Sequence, residues 1–130
     1  VSWSLVAVSE ALAATLSAAL NPDSVTVFAS PPTTLNPPAV VVSYPAPVVF
    51  GTRALGVDTA AIPVICAVGL TAPLSSLDAL LESTRAALDA DRKLGGAVKS
   101  CLVTELVDIR SASIAGIDLL AGYLSVSVEN

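Results

Sequence analysis

Leu5, Val8, Leu12, Leu16 and Leu20 recur at spacings of three and four, which places them on one face of a helix predicted over residues 4–20. Alanines fill much of the remainder, favouring helix and allowing neighbours to approach closely. Asn21-Pro22-Asp23 ends it, because the residue before a proline avoids the helical region. From residue 24 the period changes to two, with Val25 and Val27 on one side of a short strand that closes at Ala29. Residues 30–38, SPPTTLNPP, predict a proline-rich loop, read either as a stiff polyproline connector or as a ligand for a proline-binding module. The β-rich run over 39–50 is broken by Pro45 and Pro47, which points to an edge strand or a bend, since proline cannot donate to a ladder.

Residues 51–59, GTRALGVDT, predict a loop holding Arg53 and Asp58. The strand predicted over 60–70 has so few polar side chains that both its faces are expected to be covered, by its own fold or by a neighbouring subunit. Ser75 is placed to cap a second helix, with Asp78 three residues on as its capping-box partner. Leu77, Leu80, Leu81, Thr84 and Leu88 form the buried stripe of that helix, and Glu82 and Arg85 are spaced for a surface pair. Gly95-Gly96 stops it. The last third predicts two strands, over 98–110 and 114–128, joined by a turn at Ser111-Ala112-Ser113. In the first, Cys101, Val103, Val107 and Ile109 share a face that Glu105 interrupts; in the second, Leu120, Leu124, Val126 and Val128 line one side. The order fits an α+β fold, a mainly antiparallel sheet of four to five strands with two main helices packed on one face. One domain accounts for residues 1–130.

Charge alters this picture in one respect. Only 13% of the residues are charged against 54% hydrophobic, where an average soluble domain carries roughly 25% charged. Such a chain is expected to have part of its surface covered. Lipid is the poorer cover: the uncharged run 24–52 is interrupted by six prolines, and the apolar segment 5–20 is too short to span and contains Glu10. No membrane association is expected. The net charge of −5 comes from 11 acids and 6 scattered bases, with only Arg92-Lys93 adjacent, so a nucleic-acid footprint is not expected either.

Chemistry is sparse. The chain has no histidine, which removes the commonest general base and metal ligand. Cys66 and Cys101 lie in apolar strand-like runs and read as reduced core residues. Asp89 and Asp91 read as solvated acids at a helix end, and Glu105 and Asp118 are the one carboxylate pair expected to meet, across the final hairpin. No phosphate loop or nucleophile elbow is present in the sequence. No catalytic, metal or cofactor-binding residue is assigned, and an enzyme is not expected. Homo-oligomerisation is the simplest way to cover a charge-poor surface.

The order of elements resembles the tail terminator proteins of long-tailed bacteriophages, and more broadly their tail-completion and neck proteins. The resemblance is carried by VTVFAS with PPTTLNPPAVVV after the first helix, by IPVICAVGL leading into SSLDALLESTRAAL and DADRKLGG, and by the closing pair CLVTELVDIR and GYLSVSVEN. It covers nearly the whole chain and contains no signature motif. It implies a homo-oligomeric ring, hexameric in that family, at the head-proximal end of the tail tube in the virion, assembled in the host cytoplasm. Such a ring ends tube polymerisation, meets the tail tube protein on one side and the head-completion or connector protein on the other, and lets DNA pass without specific binding. It implies no cofactor and no catalytic residue. A head-tail connector and a non-phage protein-binding adaptor are the alternatives. The loops 51–59 and 31–38 are expected to touch neighbouring subunits, making Arg53, Asp58, Pro31, Pro32, Pro37 and Pro38 the candidate interface residues.

Overall fold

In the computed structural model, residues 5–20, 25–30, 32–43, 48–49, 59–71, 74–96, 98 and 100–129 are described. Helix α1 spans Leu5–Leu20 and buries Val8, Leu12, Leu16 and Leu20, the face expected from the spacing. Strand β1, Thr26–Phe28, follows with Val25 buried and Val27 half-buried beneath the helices. The loop over residues 32–38 leads to β2, Ala39–Val42, every residue of which is buried. β2 is therefore no edge strand: it lies between β1, parallel to it, and β4, antiparallel. A two-residue β3, Val48–Val49, pairs with the start of β4, Thr59–Gly69.

Helix α2, Leu74–Ala90, starts one residue ahead of Ser75, which consequently lies in its first turn and not at its cap. Its buried set is Leu77, Leu80, Leu81, Thr84 and Leu88, as the spacing predicts, and each fully buried leucine contributes roughly 1.5–3 kcal/mol. The helix ends at Ala90, ahead of the glycines. Asp91 then accepts the Gly95 N–H at 2.9 Å on its Oδ2, holding a tight turn over Leu94–Gly96 in which all three residues have positive φ. Glu82 and Arg85 form no ion pair; the helix-end pair is Asp89 with Arg92, at 3.8 Å.

The sheet closes with the hairpin of β5, Ser100–Ile114, and β6, Ile117–Glu129. The turn is Ala115-Gly116, not Ser111-Ala112-Ser113, which are paired residues of β5. Both turn residues have positive φ, 54° and 77°, as a two-residue hairpin turn with the right-handed strand twist requires. Strand order is β1-β2-β4-β6-β5, with β3 off this path, so β6 is central and β5 is an edge. This is the expected α+β architecture.

α1 contacts β1 and β2, and α2 contacts β4, β5 and β6. Beneath them Val40, Val42, Ile62, Val64, Cys66, Leu124, Val126 and Val128 form the main core with both helices. The other sheet face carries a smaller core of Leu35, Ala39, Val41, Ala67 and Leu119. Leu35 is the one buried residue among the described residues of the proline-rich loop, and it pins that loop across the sheet.

Pro63 stands mid-strand in β4, where a missing N–H has to be accommodated. Its carbonyl accepts the Ser43 N–H at 2.8 Å. Within one antiparallel residue N and O point the same way, so its nitrogen faces the side on which β2 has already ended at Val42. The gap in the ladder falls where β2 stops.

Candidate protein interface

β5 breaks its own alternation. Val103 stands opposite Val126 but Glu105 opposite Ser125, and Leu106 opposite Leu124 but Asp108 opposite Tyr123. Thr104 and Val107 are thus extra residues, two bulges within one edge strand. They turn Glu105 to the sheet face away from the helices and bring Leu106 and Ile109 to the helix side, which corrects the single face expected for Cys101, Val103, Val107 and Ile109.

Beyond Val103 that helix side has little above it. Five strands at about 4.8 Å are about 24 Å wide, while two helices about 10 Å apart cover about 20 Å, so roughly one strand's width is left over. Leu106 is 45% exposed, Ile109 40% and Leu74, at the start of α2, 60%. A groove runs between α2 and β5 here. One part, about 240 Å³, is lined by Asp78, Leu81, Glu82, Arg85 and residues 103–106. The adjoining part, about 290 Å³, is lined by Leu74, Ser75, Asp78, Leu81, Leu106 and Ile109. Asp78 and Glu82 form no ion pair with any described residue, so the groove has an apolar floor and an acidic rim on α2 relieved, among the described residues, only by Arg85.

On the opposite sheet face Arg110 lies over the Tyr123 ring, 4.4 Å from its centroid, and pairs with Asp108 at 3.2 Å. Beside them Ala61, Pro63 and Ser125 line a shallow, largely apolar hollow.

Of the six sequence-predicted interface residues, three are among the described residues. Pro31, Arg53 and Asp58 lie outside the described residues. Pro32 is half-buried, and Pro37 and Pro38 are exposed in the loop pinned by Leu35. None of these described prolines lines the groove. The groove residues were legible only as an anomaly: the apolar positions of CLVTELVDIR fit no single alternation.

The two carboxylates expected to meet across the final hairpin do not. Glu105 stands opposite Ser125 and Asp118 opposite Ser113, about seven strand residues and over 20 Å apart along β6. Among the described residues no cluster of metal-ligating side chains occurs. Both cysteines are free and buried. Burial pushes the Cys66 thiol up to about 11, with the Thr84 hydroxyl, 3.4 Å away, pulling the other way. Cys101 is likewise raised to about 11, by burial first and then by the negative charge of Asp91. Neither is an activated nucleophile. Among the described residues no helix is long and apolar enough to cross a membrane. No protein-family profile matches the chain, and no curated protein matches it in sequence.

Proposed function

We propose that this chain is a structural subunit of a long-tailed bacteriophage tail, a terminator that forms a ring, hexameric by its resemblance, at the head-proximal end of the tail tube. The ring ends tube polymerisation and joins the tail to the head-completion protein, with DNA passing through its centre, and it performs no catalysis.

The observation that carries this reading is the line of large apolar side chains left exposed along the β5 edge and at the start of α2, in a chain with only 13% charged residues. Leu74, Leu102, Leu106, Val107 and Ile109 are each at least 40% exposed. Solvent-facing leucine and isoleucine concentrated at one free sheet edge are what a protein interface leaves behind in a single subunit. The adaptor alternative requires the proline-rich segment to be free to enter another protein's groove, and the burial of Leu35 at its middle counts against that. Passage of DNA without adhesion fits the scattered bases, two of which, Arg92 and Arg110, are held by Asp89 and Asp108.

Light scattering on the purified chain, with negative-stain images of the same sample, tests this. Rings near six times the 13.0 kDa subunit mass are expected. A monomer that also fails to form rings on purified tail tubes would overturn it.

A further inference from the structure

We infer that the groove between α2 and the free edge of β5 receives an extended, basic and apolar segment of a different protein, which adds to the sheet as a strand beside β5. This rests on the reading of the chain as a structural joint with protein partners, and names the chemistry of one such partner.

Three observations converge on it. The first is main-chain geometry. β5 ends the strand order, and no described residue pairs with its outer side. The bulges at Thr104 and Val107 interrupt any added ladder, so regular pairing is confined to residues 108–114, where β5 runs without irregularity. The free edge thus accepts a short strand and resists open-ended sheet growth. The second is the floor. Alternate side chains of an added strand turn toward the helix layer, where Leu74, Leu106 and Ile109 are exposed and α2 stops short of the edge. A helix flanking a free sheet edge is the arrangement by which extended peptides are bound through main-chain hydrogen bonds and read through alternating pockets.

The third is charge, and it decides against a second copy of this chain as occupant. The rim acids Asp78 and Glu82 call for a cationic partner. The chain itself has a net charge of −5. Of its six cations, Arg92 and Arg110 are paired and Arg85 belongs to the groove, while Arg53, Lys93 and Lys99 are too scattered in the sequence to supply a basic strand. The complementary lysines or arginines come from another protein.

The test uses the whole chain, isotope-labelled for NMR, with synthetic peptides of alternating valine and lysine, of alternating valine and glutamate, and of valine and lysine in blocks. The alternating Val/Lys peptide is expected to shift resonances of residues 74–85 and 106–112. It is expected to bind about tenfold or more tightly than the other two, a difference of about 1.4 kcal/mol. Asp78→Asn with Glu82→Gln lowers its affinity about tenfold and removes most of its salt dependence, and Ile109→Asp abolishes binding.

Equal binding of the Val/Glu peptide, shifts that map elsewhere, or no response to the rim variants would overturn the proposal. So would dissociation of assembled wild-type rings by Ile109→Asp, because a second copy would then be what covers the groove. A chain that binds the Val/Lys peptide at the groove yet never forms rings keeps this site and removes the ring.

Discussion

Leu81 occupies the space that a side chain at Gly122 would fill. A Cβ built on Gly122 would come within 3.0 Å of Leu81 Cδ2 and 3.1 Å of Cδ1. Gly122 is flanked by Cys66 on β4 and Ile109 on β5, so Leu81 seats α2 in a notch between two strands. Gly122→Ala is therefore expected to make the tip of Leu81 give way by a few tenths of an ångström, at a cost of up to about 1–3 kcal/mol. Leu81→Ala alone costs about 2–4 kcal/mol. In a double-mutant cycle by urea denaturation the pair loses at least 0.5 kcal/mol less than the sum; additive losses would mean that the two residues do not share this space.

Cys66 makes stability depend on pH on the alkaline side only. Its thiol is raised from 9.0 to about 11 in the fold. Below pH 9 it is protonated in both states and contributes no pH dependence. Between about 9 and 11 the unfolded chain releases the proton while the folded chain keeps it, so stability falls with rising pH, by about 2–3 kcal/mol over the window. Denaturation midpoints between pH 8 and 11 are expected to decline less steeply in Cys66→Ala. An identical slope in that variant would place the dependence elsewhere.

Ala115 sits in the left-handed region at φ 54°, which a β-carbon disfavours by about 1–2 kcal/mol. Ala115→Asn converts the turn to Asn-Gly, the pair best suited to two positive φ values, and is expected to raise stability by up to about 1 kcal/mol in thermal unfolding. Gly116→Val, at φ 77°, goes the other way, by more than 1 kcal/mol.

Leu35 closes the second core from the loop side at 3% exposure. Leu35→Ala is expected to cost about 2–3 kcal/mol, lowering the urea midpoint with the slope preserved. A change under 0.5 kcal/mol would show that the loop is not fastened through this residue.

Much of the helical layer was legible because helix burial obeys a local rule: the α2 stripe from Leu77 to Leu88 can be read from spacing alone. What failed needed information from across the sheet. The hairpin turn was assigned to Ser111-Ala112-Ser113 on polarity, but the backbone required two positive φ values and found them at Ala115-Gly116. The expected meeting of Glu105 and Asp118 assumed an unbroken register, and the bulges at Thr104 and Val107 together with the displaced turn put them at different ends of the hairpin. The central position of β2, despite the prolines that follow it, is set by its partners β1 and β4 and has no local signature. The expectation of an interface at Pro31, Pro32, Pro37, Pro38, Arg53 and Asp58 rests on loop length and is separate from the groove, which lies where the sheet extends past the second helix and is lined by none of the described prolines among them.

The strand order also bears on how the chain acquires its fold as it leaves the ribosome. β6 is the sixth strand in sequence, yet it sits between β4 and β5 and pairs along eleven residues of β4. Until residue 129 has emerged, β4 lacks its neighbour on that side, and Ile62, Val64 and Val68 wait with one flank open. The hairpin partner β5 is synthesised only shortly before and has nothing else to pair with. Vectorial synthesis therefore cannot build this sheet strand by strand from the N-terminus: β4 gains its longest partner only once β6 is made, and a nascent chain stalled before it leaves that edge open to association.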